Sequence, residues 1–369
     1  MLHKIHIGLR TRIANSLAVH LANPDDIGKK KYFPALDGVR ALAALMVMVG
    51  HFDSYWKKDS SQRLIMLAPA AVSLFFVLSG FLITGILLES KNKERYFLNF
   101  YMRRTLRIFP LYFLFLAIYY FVLPVILNEP IIGRQWAYWL FLTDFAQTFE
   151  WNAQGPLHYW SLAVEEHFYL FWPLIIYFLP KRGLVTAIMI ILLLSFVVRY
   201  SLTVHGYPNY LFTFGRMDEL ALGSLLAVHK INRPDKRVIR RATIVLISVS
   251  VLIAIFWALF SGQANPIAQS LRYTLIAIFF ACLMAMVLSS GNNPISRILQ
   301  TRALRYTGEI SYGLYVYHSS IFLIVQRCFN LNNNLIYFVI SITLCYGVAS
   351  LSYFLFERPF LRLKKRFKD

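Results

Sequence analysis

Arg40 and His51 stand eleven residues apart in the apolar stretch "ALDGVRALAALMVMVGHF", residues 35–52. At about 3.6 residues per helical turn that is close to three turns, so both side chains fall on one face, about 16 Å apart along the axis. A guanidinium can hold an anion through two parallel hydrogen bonds, and a neutral imidazole accepts a proton near pH 7. The pair suits a path that grips an anionic ligand at one end and does acid–base chemistry at the other. A plainer reading is also open: Arg40 snorkels to one headgroup layer and His51 sits at the opposite interface. Each ionisable group costs about 2.5–3.5 kcal/mol at membrane depth, which makes such residues seldom accidental.

Five further stretches carry polar residues inside apolar sequence. "FYMRRTLRIFPLYF" (100–113) clusters Arg103, Arg104 and Arg107 ahead of Pro110, which is read as the start of the next helix. Arg104 and Arg107 are three apart, hence on one face, and could grip phosphate or anchor to anionic lipid headgroups. "GPLHYWSLAVEEHFYLFWP" (155–173) sets Glu165, Glu166 and His167 in a row within an apolar helix, with Ser161 one turn before Glu165. Two adjacent buried carboxylates do not both ionise cheaply, so one of them suits a proton carrier or the partner of a histidine. "YTGEISYGLYVYHSS" (306–320) spaces Tyr312, Tyr315 and His318 by three along one helical face, either a substrate path or a set of interhelical hydrogen bonds. In "FGRMDELALGSLLA" (214–227), Arg216, Asp218 and Glu219 are read as markers of a helix's outer end. Ser79, Gly80 and Gly85 in "FFVLSGFLITG" are read as helix-packing residues.

These residues need long helices to position them, and the composition supplies them. The 369 residues are 58% hydrophobic, with Phe 31, Tyr 22 and Trp 7, and apolar runs recur from residue 36 almost to the end. That pattern predicts an all-α polytopic membrane protein. Spans are expected at about 36–55, 67–88, 108–127, 160–180, 183–204, 211–228, 240–260, 271–290, 305–328 and 335–357. An eleventh apolar run, "WAYWLFLTDFAQTF" (136–149), is short, contains Asp144 and is expected not to cross.

Charge supports ten crossings. The net charge of +20 gathers in "KNKERYFLNFYMRRTLR", "PKRG", "HKINRPDKRVIRR", "SRILQTRALR" and "RPFLRLKKRFKD". With both termini cytoplasmic and 136–149 not crossing, all of these lie inside, as the positive-inside rule prefers. The loop 55–63 is an exception, with three basic residues outside. Topology thus accounts for the positive charge, and a nucleic-acid partner is not expected. Residues 1–30 show no cleavable signal peptide and are expected to form an amphipathic helix on the membrane surface. Residues 31–358 are expected to form the transmembrane domain and 359–369 a basic tail. Cys282, Cys328 and Cys345 are isolated, so neither a metal site nor a disulfide framework is indicated. The set of buried Arg, His and Glu fits a membrane enzyme or a transporter better than a scaffold.

The order of motifs resembles the family-3 membrane acyltransferases, the bacterial sugar O-acyltransferases. The resemblance is carried by "LDGVRALAALMVMVGHF", "FFVLSGFLIT", "RRTLRIFPLY", "WSLAVEEHFYLFWP", "GRMDELALGSLLA" and "ISYGLYVYHSSIF", which together cover roughly residues 31–358. It implies transfer of an acyl group, usually acetyl, from cytoplasmic acyl-coenzyme A to a hydroxyl of an exported or cell-envelope glycan, in the inner membrane of a bacterium. Arg40 and His51 match the family's Arg-x10-His pair, Arg104 and Arg107 its Arg-x-x-Arg. Trp160, Ser161, Glu165 and Glu166 match its Trp-Ser-Leu…Glu-Glu segment. His167 stands where members often have Gln, which puts the local hydrogen bonding in doubt. Many members carry a soluble extracytoplasmic domain that this sequence lacks, so no second transfer step by such a domain is expected.

The resemblance and the residue patterns together give expected roles. His51 is expected as general base or transient acyl carrier, with Glu166 or Asp37 orienting it or relaying its proton. Arg40, Arg103, Arg104 and Arg107 are expected on the coenzyme A side, and Trp160, Ser161, Glu165, Tyr312 and His318 on the acceptor side. No metal is expected. The rival reading is a proton-coupled transporter or glycan flippase that uses Glu165, Glu166 and His318 as a relay.

Overall fold

The computed structural model describes residues 33–56, 64, 66–128, 133–229, 235–260, 265–289, 294–329 and 334–367. The expected amphipathic segment 1–30 and most of the loop 55–63 lie outside them. Every regular element among the described residues is helical.

Helix α1 (Pro34–Trp56) opens on Pro34, whose fixed φ and missing N–H suit a first turn, and carries Asp37 where the helix dipole favours an acid. Helix α2 (Leu67–Ser90) follows. Helix α3 (Tyr96–Ala117) continues through a π turn, Ile118–Val122, to Leu127. It begins well before the span expected at 108–127. Pro110 is therefore inside a helix rather than at its start, a position that membrane helices tolerate. The run 136–149 folds as two short helices, α4 (Trp136–Trp139) and α5 (Thr143–Thr148), separated by Phe141 at φ 56°. Neither is long enough to cross a bilayer.

Helix α6 (Trp160–Phe178) is entered through a 3-10 turn, Leu157–Tyr159. Then come α7 (Lys181–Val204), α8 (Thr213–Val228), α9 (Lys236–Phe260) and α10 (Pro266–Ser289). The expected span 305–328 is broken at Ile310. After α11 (Pro294–Leu299), it forms α12 (Arg302–Glu309) and α13 (Ser311–Cys328). Helix α14 (Asn334–Ser352) runs on through a π turn and Arg358–Leu363 to Arg366, so helix continues past the expected end near Glu357.

Seven helices among the described residues are long and apolar enough to cross a membrane, against the ten expected. They are α1, α2, α3 with its extension, α7, α9, α10 and α14. The other three expected spans do form helices, α6, α8 and α13. Helix α8 has only 16 residues, and all three carry the charged and polar side chains that lower their hydropathy.

Burial sorts the bundle. Of the most apolar window of α2, 67% is buried, against 11% for α9. Helix α2 is therefore central, and α9 turns residues such as Ile244, Ile247 and Val251 outward, where lipid is the matching solvent. Lipid tails are as apolar as leucine, so close packing and polar contacts hold such helices together. Helices α2 and α8 show both. A Cβ on Gly80 would strike the Leu220 carbonyl, and one on Gly223 would strike that of Val77. Beside them, Thr84 donates to Ser224 (2.8 Å) and the Trp172 indole donates to Thr84 (2.7 Å).

Candidate active site

Three histidines meet at one level of the bundle. His51 Nδ1 lies 2.7 Å from His318 Nε2, with the ring planes 8° apart and centroids separated by 5.0 Å. The His158 ring is 4.8 Å from that of His318 and 6.5 Å from that of His51. His318 Nδ1 donates to the Tyr315 carbonyl at 2.7 Å, and His158 Nε2 faces the Val316 carbonyl at 3.3 Å. The Ser161 and Tyr315 hydroxyls are hydrogen-bonded to each other, and both lie within reach of the His158 carbonyl, at 3.1 and 2.8 Å.

Next to this layer is a cavity of about 190 Å³. Ser161, Glu165 and Tyr169 from α6, Tyr312 and Tyr315 from α13, and Arg40, Arg104 and Arg107 from α1 and α3 all line it. Its remaining wall is largely apolar, with Phe75, Phe76, Leu82, Ile83 and Ile86 supplied by α2. Towards the histidines, residue numbers rise along α1 and α13 and fall along α6. Ser161 and Tyr315 thus belong both to the cavity wall and to the surroundings of the histidines. A long flexible ligand with an anionic end and an apolar arm fits this shape, guanidiniums at one end and imidazoles beyond the other.

Arg40 is ion-paired with Asp37 at 2.7 Å. Arg104 lies over the rings of Tyr169 and Phe100, 5.6 and 6.0 Å from their centroids. Among the described residues neither Arg104 nor Arg107 forms an ion pair. Two cavity-lining guanidiniums with their donors so little used favour an anion. No group of His, Cys, Asp or Glu among the described residues is placed to hold a metal ion.

The remaining expected site residues lie elsewhere. Asp37 is fourteen residues from His51 on one helix, about 21 Å along its axis, and its place beside Arg40 rules out direct orientation of His51. The neighbour of His51 is His318, which was expected to contact an acceptor. Glu166 is not part of the cavity wall, and its Oε1 is buried without a hydrogen-bond partner. Arg103 points to the end of the chain, 3.5 Å from the Phe367 carbonyl. Trp160 packs edge-on against Phe76 and beneath the Arg216 guanidinium, 5.5 Å from its ring centroid.

His158 was missed because "GPLHYW" reads as a loop. Its spacing of three from Ser161 was the available signal, since the 3-10 turn continues the spiral of α6. Arg216, Asp218 and Glu219 do not mark an exposed helix end but are fully buried. Arg216 pairs with Glu219 at 3.1 Å and lies 4.2 Å from the centroid of the Tyr273 ring. Arg199, which the sequence reading passed over, holds Asp218 with two bonds of 2.9 Å. His167 donates to Thr213 (2.7 Å), and Thr213 is hydrogen-bonded to Asp144, so α5, α6 and α8 are tied together.

The chain is similar in sequence to known proteins. The chain is 28% identical to the peptidoglycan O-acetyltransferase OatA of Listeria monocytogenes, over 92% of this chain and 58% of that protein. It is equally similar to the O-acetyltransferase OatA of Staphylococcus aureus, with the same shares covered. For the putative peptidoglycan O-acetyltransferase YrhL of Bacillus subtilis the identity is 28%, over 89% of this chain and 55% of that protein. The chain thus spans somewhat more than half the length of these relatives. No solved structure matches it significantly. The family model described as the acyltransferase domain matches residues 33–354, which contain the whole cavity wall and all three histidines. This multi-pass membrane chain belongs to that acyltransferase family.

Proposed function

We propose that this chain moves an acyl group, most simply acetyl, from cytoplasmic acyl-coenzyme A to a hydroxyl of a cell-envelope glycan in a bacterial inner membrane. The observation that carries the reading is the cavity, with Arg104 and Arg107 in its wall, neither ion-paired among the described residues, and the histidine layer just beyond Ser161 and Tyr315. Arg40, Arg104 and Arg107 hold the phosphates of the donor, and the apolar face of α2 lines its pantetheine arm. His51 takes the proton of the acceptor hydroxyl as that oxygen bonds to the thioester carbon and the C–S bond breaks. The thiolate of coenzyme A is released towards the arginines. The names of the relatives favour a peptidoglycan acceptor over lipopolysaccharide. Membership of an acyltransferase family favours transfer over transport.

His51→Ala should abolish acetylation of the envelope glycan while the protein still reaches the membrane in normal amount. Mass spectrometry of glycan from cells carrying either form, with the membrane fraction assayed in parallel, checks this. Retained acetylation would remove His51 from the reaction.

A further inference from the structure

Hydrogen-bond direction at the histidine layer decides which nitrogen of His51 can act. His318 Nδ1 lies 2.7 Å from the Tyr315 carbonyl, and a carbonyl only accepts, so Nδ1 carries hydrogen. The His318 ring is fully buried, and its other nitrogen meets an imidazole rather than an anion. A second proton would create an imidazolium at steep cost in that place, so Nε2 keeps its lone pair. The atom 2.7 Å away is His51 Nδ1, which must therefore be the donor. The nearly parallel planes and the 5.0 Å centroid separation fit an edge-to-edge bond of this kind.

From this chain of donors, we infer that His318 is the positioning residue for His51: it selects the Nδ1–H tautomer and presents Nε2 as the base. The inference rests on the proposed acyl transfer. His318 here does what a carboxylate does beside many catalytic histidines, but without adding a buried charge. The Tyr315 carbonyl anchors it in turn, so residues on one turn of α13 contribute both to the cavity wall and to the orientation of the base.

The test uses the full chain in nanodiscs, labelled with 15N at histidine, with His51→Gln identifying the His51 signals. Native protein should show His51 protonated at Nδ1, and His318→Leu should lose that preference. In acetyl transfer from acetyl-coenzyme A, His318→Leu should lower kcat about 100-fold with KM for the donor within twofold. His318→Gln, whose amide oxygen accepts the same hydrogen bond, should recover at least tenfold of that loss. A native His51 protonated at Nε2 overturns the inference, as does a folded His318→Leu within threefold of native turnover, or a Gln variant no better than Leu. If His318→Leu fails to fold, the native tautomer decides. An inactive native protein would count against the transfer reading alone, because the tautomer is read without turnover.

Discussion

Arg104 is held by aromatic rings rather than by a carboxylate, and this separates it from three other arginines of the bundle. Arg40, Arg199 and Arg216 each have an acidic partner. A guanidinium stacked on Tyr169 keeps its in-plane donors for a ligand, and charge-assisted bonds of this kind contribute about 1.5–3 kcal/mol. Arg104→Ala should therefore raise KM for acyl-coenzyme A at least about tenfold with kcat changed little. Arg104→Lys should recover only part of the loss, because an ammonium cannot make the paired contact. Steady-state kinetics in proteoliposomes checks both. Much of the cavity was legible at this scale: Arg40, Arg104, Arg107, Ser161, Glu165 and Tyr312 could be singled out as ionisable or polar groups on shared helical faces. Asp37 and Glu166 could not be placed, since spacing along one helix does not say which neighbouring helix a side chain meets. His318 was noticed, but its partner lies 267 residues away in sequence, beyond any local pattern.

Helices were legible as apolar runs, while their ends and breaks were not. Pro110 looks like a start signal, yet α3 begins at Tyr96, and Ile310 breaks an apolar run that contains no proline. Arg199 sits alone in an apolar run, and only the packing of α7 against α8 and α10 shows what it holds. It bonds Asp218 twice, and the Ser270 carbonyl accepts from its Nε at 2.7 Å. Breaking such a buried pair leaves a charge without compensation, at a cost of about 3–5 kcal/mol. Arg199→Leu should thus lower the melting temperature of the purified protein sharply. The double variant with Asp218→Leu should regain much of the loss, and a double variant less stable than the single one would contradict the pairing argument. Thermal unfolding in detergent distinguishes the two outcomes.

Across the whole molecule, most basic residues fall between the apolar runs, and the proposed orientation depends on this pattern. Lys91 and Lys93 join α2 to α3, and Lys181 and Arg182 begin α7. The turn at 205–210 between α7 and α8 has no Lys or Arg. With the first set cytoplasmic, Lys93→Cys in a cysteine-free background should react with an impermeant maleimide only after cells are opened. Tyr207→Cys should react in intact cells. The reverse pattern would put the arginine end of the cavity outside, away from cytoplasmic acyl-coenzyme A.

Helices α6 and α13, which carry part of the site, and α8 are also the ones that fall short on length or hydropathy as independent spans. Such segments partition weakly from the translocon into lipid. Their entry into the bilayer then depends on neighbours already in place, α2 for α8 and α1 for α13, which meet them in the finished bundle. Biogenesis and chemistry make opposite demands on these same stretches. Substitutions that make them more apolar should improve insertion yield while eroding turnover, so expression level is a poor proxy for a competent enzyme.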